Sequence, residues 1–279
     1  MKNPICLSPL KFYDNVAKQY HRKSYSYKSI SPIITKLHNI PAFQFVLLSN
    51  TETINSVYVM YKNDIKASED IKQILYENGL IITEVNNFRI VVYCGKNDIL
   101  TDLKEGLYYL IINTSENTYY SEIFCFTNTL DNYLKIEYSN KSGNFFIKNG
   151  LVLFPQDFKF TLLLRYQYEV LFSFDEQTTE LLGYKQIETQ VSKKYYAFRT
   201  VAPEYLCDAM RIIRLCDTKL IAFEKQNYDL ISFEMEADWQ TQGDLAVVTC
   251  RFESDQVITS KNVRSLAEYN KDFSVDFTS

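Results

Sequence analysis

The chain has 279 residues, among them 22 Tyr, 19 Phe, one Trp, 7 Gly and 2 His, and hydrophobic residues make up 46% of it. That apolar content excludes an intrinsically disordered chain, and a formal charge of −4 is opposite in sign to the excess a general nucleic-acid binder carries. Average usage would supply roughly 20 glycines, so few are left for phosphate-cradling loops, and two histidines leave little for imidazole metal or acid–base sites.

Residues 1–40 read as a polar N-terminal arm. From Lys11 to Lys28, the cations Lys11, Lys18, Arg22, Lys23 and Lys28 face Asp14 alone, with Tyr13, Tyr20, Tyr25 and Tyr27 between them. Such a mixture can stack on bases and contact phosphates, or lie extended against a neighbouring molecule. The absence of a defined spacing favours the second reading. His21 and His38 stand in this region without an obvious Asp or Cys partner and read as surface or packing residues. Pro32 and Pro41 bracket an extended entry into the first domain.

Residues 41–130 read as a β-sandwich domain of immunoglobulin-like type. Strands are expected at Phe43–Leu48, Val57–Tyr61, Ile81–Glu84, Phe88–Cys94, Leu107–Asn113 and Tyr119–Thr127, with turn residues at short intervals between them. One helix interrupts them from Ser68 to Glu77: Ser68 as N-cap, Ile71, Ile74 and Leu75 on one face, and Asn78-Gly79 as the stop.

A boundary is expected near Thr127–Leu134, and residues 131–258 read as a second sandwich that carries one helix. Leu134–Ser139 begins it, and Asn149-Gly150 marks a turn. The clearest alternation in the chain runs from Phe160 to Phe174. Phe160, Leu162, Leu164, Tyr166, Tyr168, Val170, Phe172 and Phe174 share one face, the period of a strand with one side buried. An aromatic edge of that length invites aggregation unless it is covered, so a neighbouring strand is expected beside it, from this chain or another subunit. Asp175 and Glu176 read as a turn after it.

Further strands are expected at Lys194–Val201, Lys219–Glu224, Tyr228–Glu236 and Leu245–Glu253. Between them Pro203 to Leu215 reads as a helix, with Pro203 at N1, Leu206, Ala209, Met210 and Ile213 as its apolar stripe, and charges that suit the helix dipole. From residue 254 the pattern fades, and residues 259–279 read as a C-terminal arm.

The sequence carries no Walker loop, nucleophile elbow, dinucleotide fingerprint or H-E-x-x-H motif. Cys6, Cys94, Cys125, Cys207, Cys216 and Cys250 form no C-x-x-C pair. Most lie in apolar runs, where a free thiol behaves as a small hydrophobe, so they read as reduced in a chain that folds in a reducing compartment. Glu234, Glu236 and Asp238 alternate on one strand face. Three carboxylates so placed can bind Ca²⁺, but a solvated face is the simpler reading. No catalytic, metal-binding or cofactor-binding residue is expected. No signal peptide or membrane span is visible.

Several segments are similar to a family of uncharacterised virion proteins of Bacteroidetes phages and prophages, crAss-like phages included. The residues that carry the resemblance are Gly106-Leu107-Tyr108-Tyr109-Leu110, Tyr119-Tyr120-Ser121-Glu122-Ile123-Phe124 and Leu134-Lys135-Ile136-Glu137-Tyr138. With them go Ala202-Pro203-Glu204-Tyr205-Leu206-Cys207-Asp208-Ala209-Met210-Arg211 and Trp239-Gln240-Thr241-Gln242-Gly243-Asp244-Leu245-Ala246. The resemblance spans roughly residues 100–258. Between Asn140 and Gln190 the chain departs from the family's acidic, glycine-rich loop and has the Phe160–Phe174 strand and a short turn at Gly183 instead.

The resemblance implies a non-enzymatic structural protein of the virion, made in the bacterial host cytoplasm and placed in the tail or head–tail connector. It implies copies of the chain in a cyclic ring, hexameric or dodecameric, that meets other tail, portal or capsid proteins. Genomic DNA would pass through its lumen without specific binding, and no membrane would be involved. Tyr13, Tyr20, Arg22, Lys23, Tyr25, Tyr27, Phe160, Leu162, Leu164, Tyr166 and Tyr168 are the candidate assembly residues. The competing reading is a carbohydrate-binding module of a phage receptor-binding protein, with Trp239 as its one indole platform.

Overall fold

The computed structural model describes residues 7–14, 33–36, 38–85, 88–93, 100, 103–129, 133–140, 144–147, 150–153, 159–181, 184–223, 226–239 and 245–261. The chain is mainly β and sandwich-like, with two α-helices among the described residues, one of them short.

The first strands are β1 (Phe12–Tyr13), β2 (Ile33–Lys36), β3 (Phe43–Val46) and β4 (Ile54–Tyr61). Helix α1 (Lys72–Glu77) is followed by β5 (Ile81–Val85), β6 (Phe88–Tyr93), β7 (Gly106–Thr114), β8 (Thr118–Ser121) and β9 (Phe124–Thr127). Strands β3, β6 and β5 form a small antiparallel sheet. It packs on the sheet that contains β7 and β8: the Phe45 ring lies 4.9 Å from that of Tyr119. Phe12 reaches in from β1 and stacks 4.7 Å from Phe45 and 4.9 Å from Phe43. Val57 and Val59 of β4 and Leu110 and Ile112 of β7 are fully buried in the same core.

Helix α1 is shorter than its sequence pattern. Ser68 does not cap it: the Ser68 hydroxyl accepts from Val59 N at 2.9 Å, on β4. The carboxylate of Asp70 instead accepts from Lys72 N at 2.9 Å and Val57 N at 2.9 Å. Ser68 and Asp70 are short polar side chains that serve a neighbouring strand as readily as a helix end. Ile71 and Leu75 are buried as expected, but Ile74 is exposed. The stop falls at Asn78-Gly79. Gly79 has φ +97°, Leu80 N donates to Leu75 O at 2.8 Å, and Gly79 N donates to Tyr76 O at 3.3 Å. Those two bonds close a Schellman turn, and its positive φ favours glycine.

The expected strand Tyr119–Thr127 is two strands, β8 and β9, parted at Glu122-Ile123. Both lie along β7 but take different outer partners, β1 and the parallel β2. Glu122 serves the break: its N–H donates to Lys11 O at 2.8 Å and its carboxyl accepts from Tyr13 Oη at 2.5 Å.

The second half contains β10 (Tyr133–Ser139), the hairpin β11 (Asn144–Ile147) and β12 (Gly150–Leu153), β13 (Lys159–Arg165), β14 (Gln167–Leu181) and β15 (Tyr184–Pro203). Helix α2 (Glu204–Arg211) runs into a 3-10 turn (Ile212–Leu215), and β16 (Thr218–Phe223), β17 (Gln226–Trp239) and β18 (Leu245–Lys261) complete the chain. Pro203 is the N-cap of α2 and the last residue of β15, one position before its expected place. Helix α2 lies against β15, β17 and β18 and buries Leu206 and Met210 completely.

The largest sheet follows the path β1-β8-β7-β9-β2-β13-β10-β16-β17-β18-β15-β14, with β4 on the far side of β7. It takes strands from both sides of residue 130, joined where Ile34 of β2 pairs with Leu163 of β13. Its last four strands are long: β15 and β18 pair from Pro203↔Leu245 to Thr189↔Lys261. Strand β18 thus runs well beyond the point at which its alternation fades in the sequence.

Candidate functional site

The Phe160–Phe174 alternation is divided at Tyr166. Strand β13 lies inside the large sheet, with β10 on one side and β2 on the other. Among the described residues strand β14 pairs with β15 alone and forms the sheet's edge. One apolar face runs through both, and its exposure rises along the chain. Leu162 and Leu164 are each 1% exposed, Tyr168 is 40%, Phe172 is 62% and Phe174 is 71%. The stripe begins as core and ends as surface.

Ladder register shows why. Directly opposed residues share a face, so Tyr168 and Phe198, Val170 and Tyr196, Phe172 and Lys194, and Phe174 and Ser192 point the same way. On β18 the same rows continue through Cys250, Phe252 and Ile258. Near the body this face is covered, with Phe198 5.2 Å from Phe252 and Phe252 5.1 Å from Phe233. Strand β17 leaves β18 at Leu230↔Ser254, and a register shift follows between Lys193 and Tyr195. Beyond it β14, β15 and β18 continue as a three-stranded arm on which Phe172, Phe174 and Ile258 are exposed. Phe174, Ser192 and Ile258 form one row across the three strands, two exposed apolar side chains flanking a small polar one.

The opposite face of the arm is charged. Lys193 Nζ lies 3.6 Å from Asp175 and 3.5 Å from Glu253, and Arg199 lies 3.6 Å from Glu169. The nearby Glu253 carboxylate raises the pKa of Lys193. Asp175 and Glu176 are therefore mid-strand and not at a turn. The chain reverses between Leu181 and Tyr184, where Gly183 lies. Along its own length β14 carries Glu169, Asp175, Glu176 and Glu180 and no basic residue.

Two other strand edges among the described residues are occupied by the chain itself. Residues 65–71 lie along β4: Tyr61 N donates to Ile65 O at 2.8 Å, Ala67 N to Val59 O at 2.9 Å and Ile71 N to Val57 O at 2.9 Å. The outer side of β3 receives Leu10 in a parallel bridge and the Ser8 hydroxyl on Gln44 N at 3.0 Å. Among the described residues no strand lies on the outer side of β14.

The other candidate assembly residues have different surroundings. Tyr13 is spent within the chain on Glu122. Leu162 and Leu164 belong to the core, and the Phe160 backbone pairs with Tyr138. Tyr166 is half-buried, its ring 5.4 Å from Phe198, and Tyr168 sits at the base of the exposed stripe, 5.4 Å from Phe223. Tyr20, Arg22, Lys23, Tyr25 and Tyr27 lie outside the described residues, as do His21, Cys6 and Cys94. Sequence reasoning put Phe172 and Phe174 on the stripe but did not single them out, and it did not reach Ile258. The fading pattern after residue 254 concealed that β18 continues.

Glu234, Glu236 and Asp238 share an exposed face of β17, and among the described residues no group of three ligating side chains is gathered for a metal. Glu52 is the one fully buried carboxylate among the described residues. Thr114 Oγ1 donates to one of its oxygens, and Tyr119 Oη donates to the other at 2.9 Å. Its own carbonyl accepts from Arg89 Nη1 at 2.7 Å. Both oxygens are held by the chain's own hydroxyls, so this carboxylate locks the turn at residues 49–53 and faces no solvent. Cys207, Cys216 and Cys250 are buried free thiols; burial pushes their pKa values up to about 11, 12 and 12. Thiols so placed are inert as nucleophiles. No helix among the described residues is long and apolar enough to cross a membrane.

No family model, curated protein or solved structure matches the chain.

Proposed function

We propose that this chain is a structural subunit that assembles with its neighbours by accepting a strand along β14, and that it serves in a phage tail or head–tail connector ring. One observation carries the reading: an apolar stripe that is core at Leu164 becomes 71% exposed at Phe174, on a sheet edge that no described strand covers. Edges of that length are normally short, charged with Lys, or covered. An edge kept open beside exposed phenylalanines suits strand addition, in which main-chain bonds supply affinity and alternate side chains supply specificity. The virion placement rests on the resemblance of residues 100–258 to phage structural proteins.

The test is the mass of the purified protein against concentration, by light scattering or native mass spectrometry. Assembly of the wild type, and its loss in Phe172→Glu/Phe174→Glu, is the expected result. A wild type that stays monomeric at high concentration, and is missing from particles probed with a specific antibody, refutes the reading.

Carbohydrate binding is the second reading, because Trp239 closes β17 and is 48% exposed. Indole faces stack on sugars. A glycan array separates the two: glycan binding that is lost in Trp239→Ala, without any change in mass, favours the module.

A further inference from the structure

The chain has two Asn-Gly pairs, Asn78-Gly79 and Asn149-Gly150. Asn149 lies outside the described residues, and Asn78-Gly79 closes helix α1. An asparagine followed by glycine carries its own reactive pair. The backbone nitrogen of the glycine can attack the side-chain carbonyl carbon, and no Cβ crowds the ring that closes. Asn78 and Gly79 are partly exposed, so water and hydroxide reach both.

The turn holds the reactants back. Asn78 Nδ2, the nitrogen that would leave, donates to Ile74 O at 2.8 Å. Gly79 N, the nucleophile, donates to Tyr76 O at 3.3 Å, so its proton is engaged. Asn78 stands at φ −105° and ψ 20°. Ring closure has to rotate this ψ, which also pulls Leu80 N from Leu75 O, 2.8 Å away. The lock is only as firm as α1. Six residues are far fewer than the ~12–15 at which a helix sustains itself in water, and of the six Leu75 alone is buried. An element with so few buried contacts opens locally at much less cost than global unfolding.

We infer that Asn78 is a site of spontaneous deamidation, gated by opening of the turn that ends α1. In the open turn hydroxide takes the Gly79 amide proton, and the nitrogen's electron pair forms a bond to Asn78 Cγ. The Cγ–Nδ2 bond breaks, and Nδ2 takes a proton from water and departs as ammonia. Water then opens the cyclic imide at either carbonyl and leaves aspartate or isoaspartate. The sum is amide plus water to acid plus ammonia, so no oxidant or cofactor is needed. The product does not restore the turn. A carboxylate at position 78 faces Ile74 O, acceptor against acceptor, at the negative end of the helix dipole. Each conversion therefore loosens α1 further, independently of any assembly along β14.

The test is a peptide map by mass spectrometry of the full-length chain, held at mildly alkaline pH in buffer and in urea. Asn78 is expected to convert about tenfold or more slowly in the folded chain than in urea. Gln73 is exposed on α1, and Gln73→Gly weakens the helix by the glycine penalty, so the folded variant is expected to convert about fivefold faster than the wild type. Hydrogen exchange at Leu80 N reads the same opening without a substitution, and slow exchange there is expected beside slow conversion. Equal conversion in buffer and in urea overturns the gate, and no conversion in urea overturns the site. Slow conversion beside rapid exchange at Leu80, or a folded Gln73→Gly that converts no faster, places the protection outside α1 and overturns the inference.

Discussion

Leu164 and Phe174 belong to one stripe of one alternation, yet the fold predicts opposite consequences for their removal. Leu164 is 1% exposed among β10, β13 and β2. Leu164→Ala removes buried methyl groups and leaves a cavity, at a cost of about 2–5 kcal/mol. Phe174 keeps 71% of its surface in water. Less than a third of an aromatic side chain, about 60 Å², is then shielded, and at 25 cal/mol per Å² its loss costs about 1.5 kcal/mol as an upper bound. Urea unfolding followed by far-UV circular dichroism, at concentrations low enough to keep the chain monomeric, measures both. Leu164→Ala should lower the midpoint clearly, and Phe174→Ala by much less. At high concentration the order reverses for assembly: Phe174→Ala should dissociate what Leu164→Ala, if folded, leaves associated. Equal destabilisation of the monomer by the two substitutions would refute the claim that the stripe leaves the core at Tyr166.

Gly79→Ala should cost about 1 kcal/mol or more in thermal unfolding, because φ +97° is strained for any residue with a Cβ. Glu52→Ala should cost about 3 kcal/mol, since two hydroxyl donors lose their buried acceptor; a melting temperature unchanged from the wild type would contradict the lock at residues 49–53. The thiols of Cys207, Cys216 and Cys250 have folded pKa values raised to about 11, 12 and 12 from 9.0. Folding favours their protonated form, so their contribution is complete below pH 9 and is lost as pH rises toward 12. The urea midpoint should fall between pH 8 and pH 11, less so in a variant with Ala at all three positions. A thiol reagent at pH 8 should label them only after unfolding.

The places where sequence and structure part have a common cause. A period of two announces a strand and its apolar side, but it does not say which strand lies alongside. Tyr119–Thr127 and Phe160–Phe174 each keep their pattern through a point where the partner changes, at Glu122-Ile123 and at Tyr166, so each reads as one strand and is two. The arm beyond Ser254 fails in the opposite way. A strand that packs on nothing needs no apolar alternation, and Thr178, Thr179, Glu180 and Ser260 leave none to read.

By itself the sequence determined the class: alternating Tyr, Phe, Val and Ile with few glycines can bury their area only in sheets, and the spacing of Leu206, Ala209, Met210 and Ile213 admits only a helix. It also determined which segment is basic and which strand is acidic, because charge needs no fold. The tertiary structure alone decided what those patterns face. Phe172 and Phe174 are written in the same alternation as Leu162 and Leu164, and they are surface because their part of the sheet projects past the core as an arm on which they stay exposed. Burial belongs to the neighbours a side chain meets, and register between distant strands is set by the packing of the whole chain.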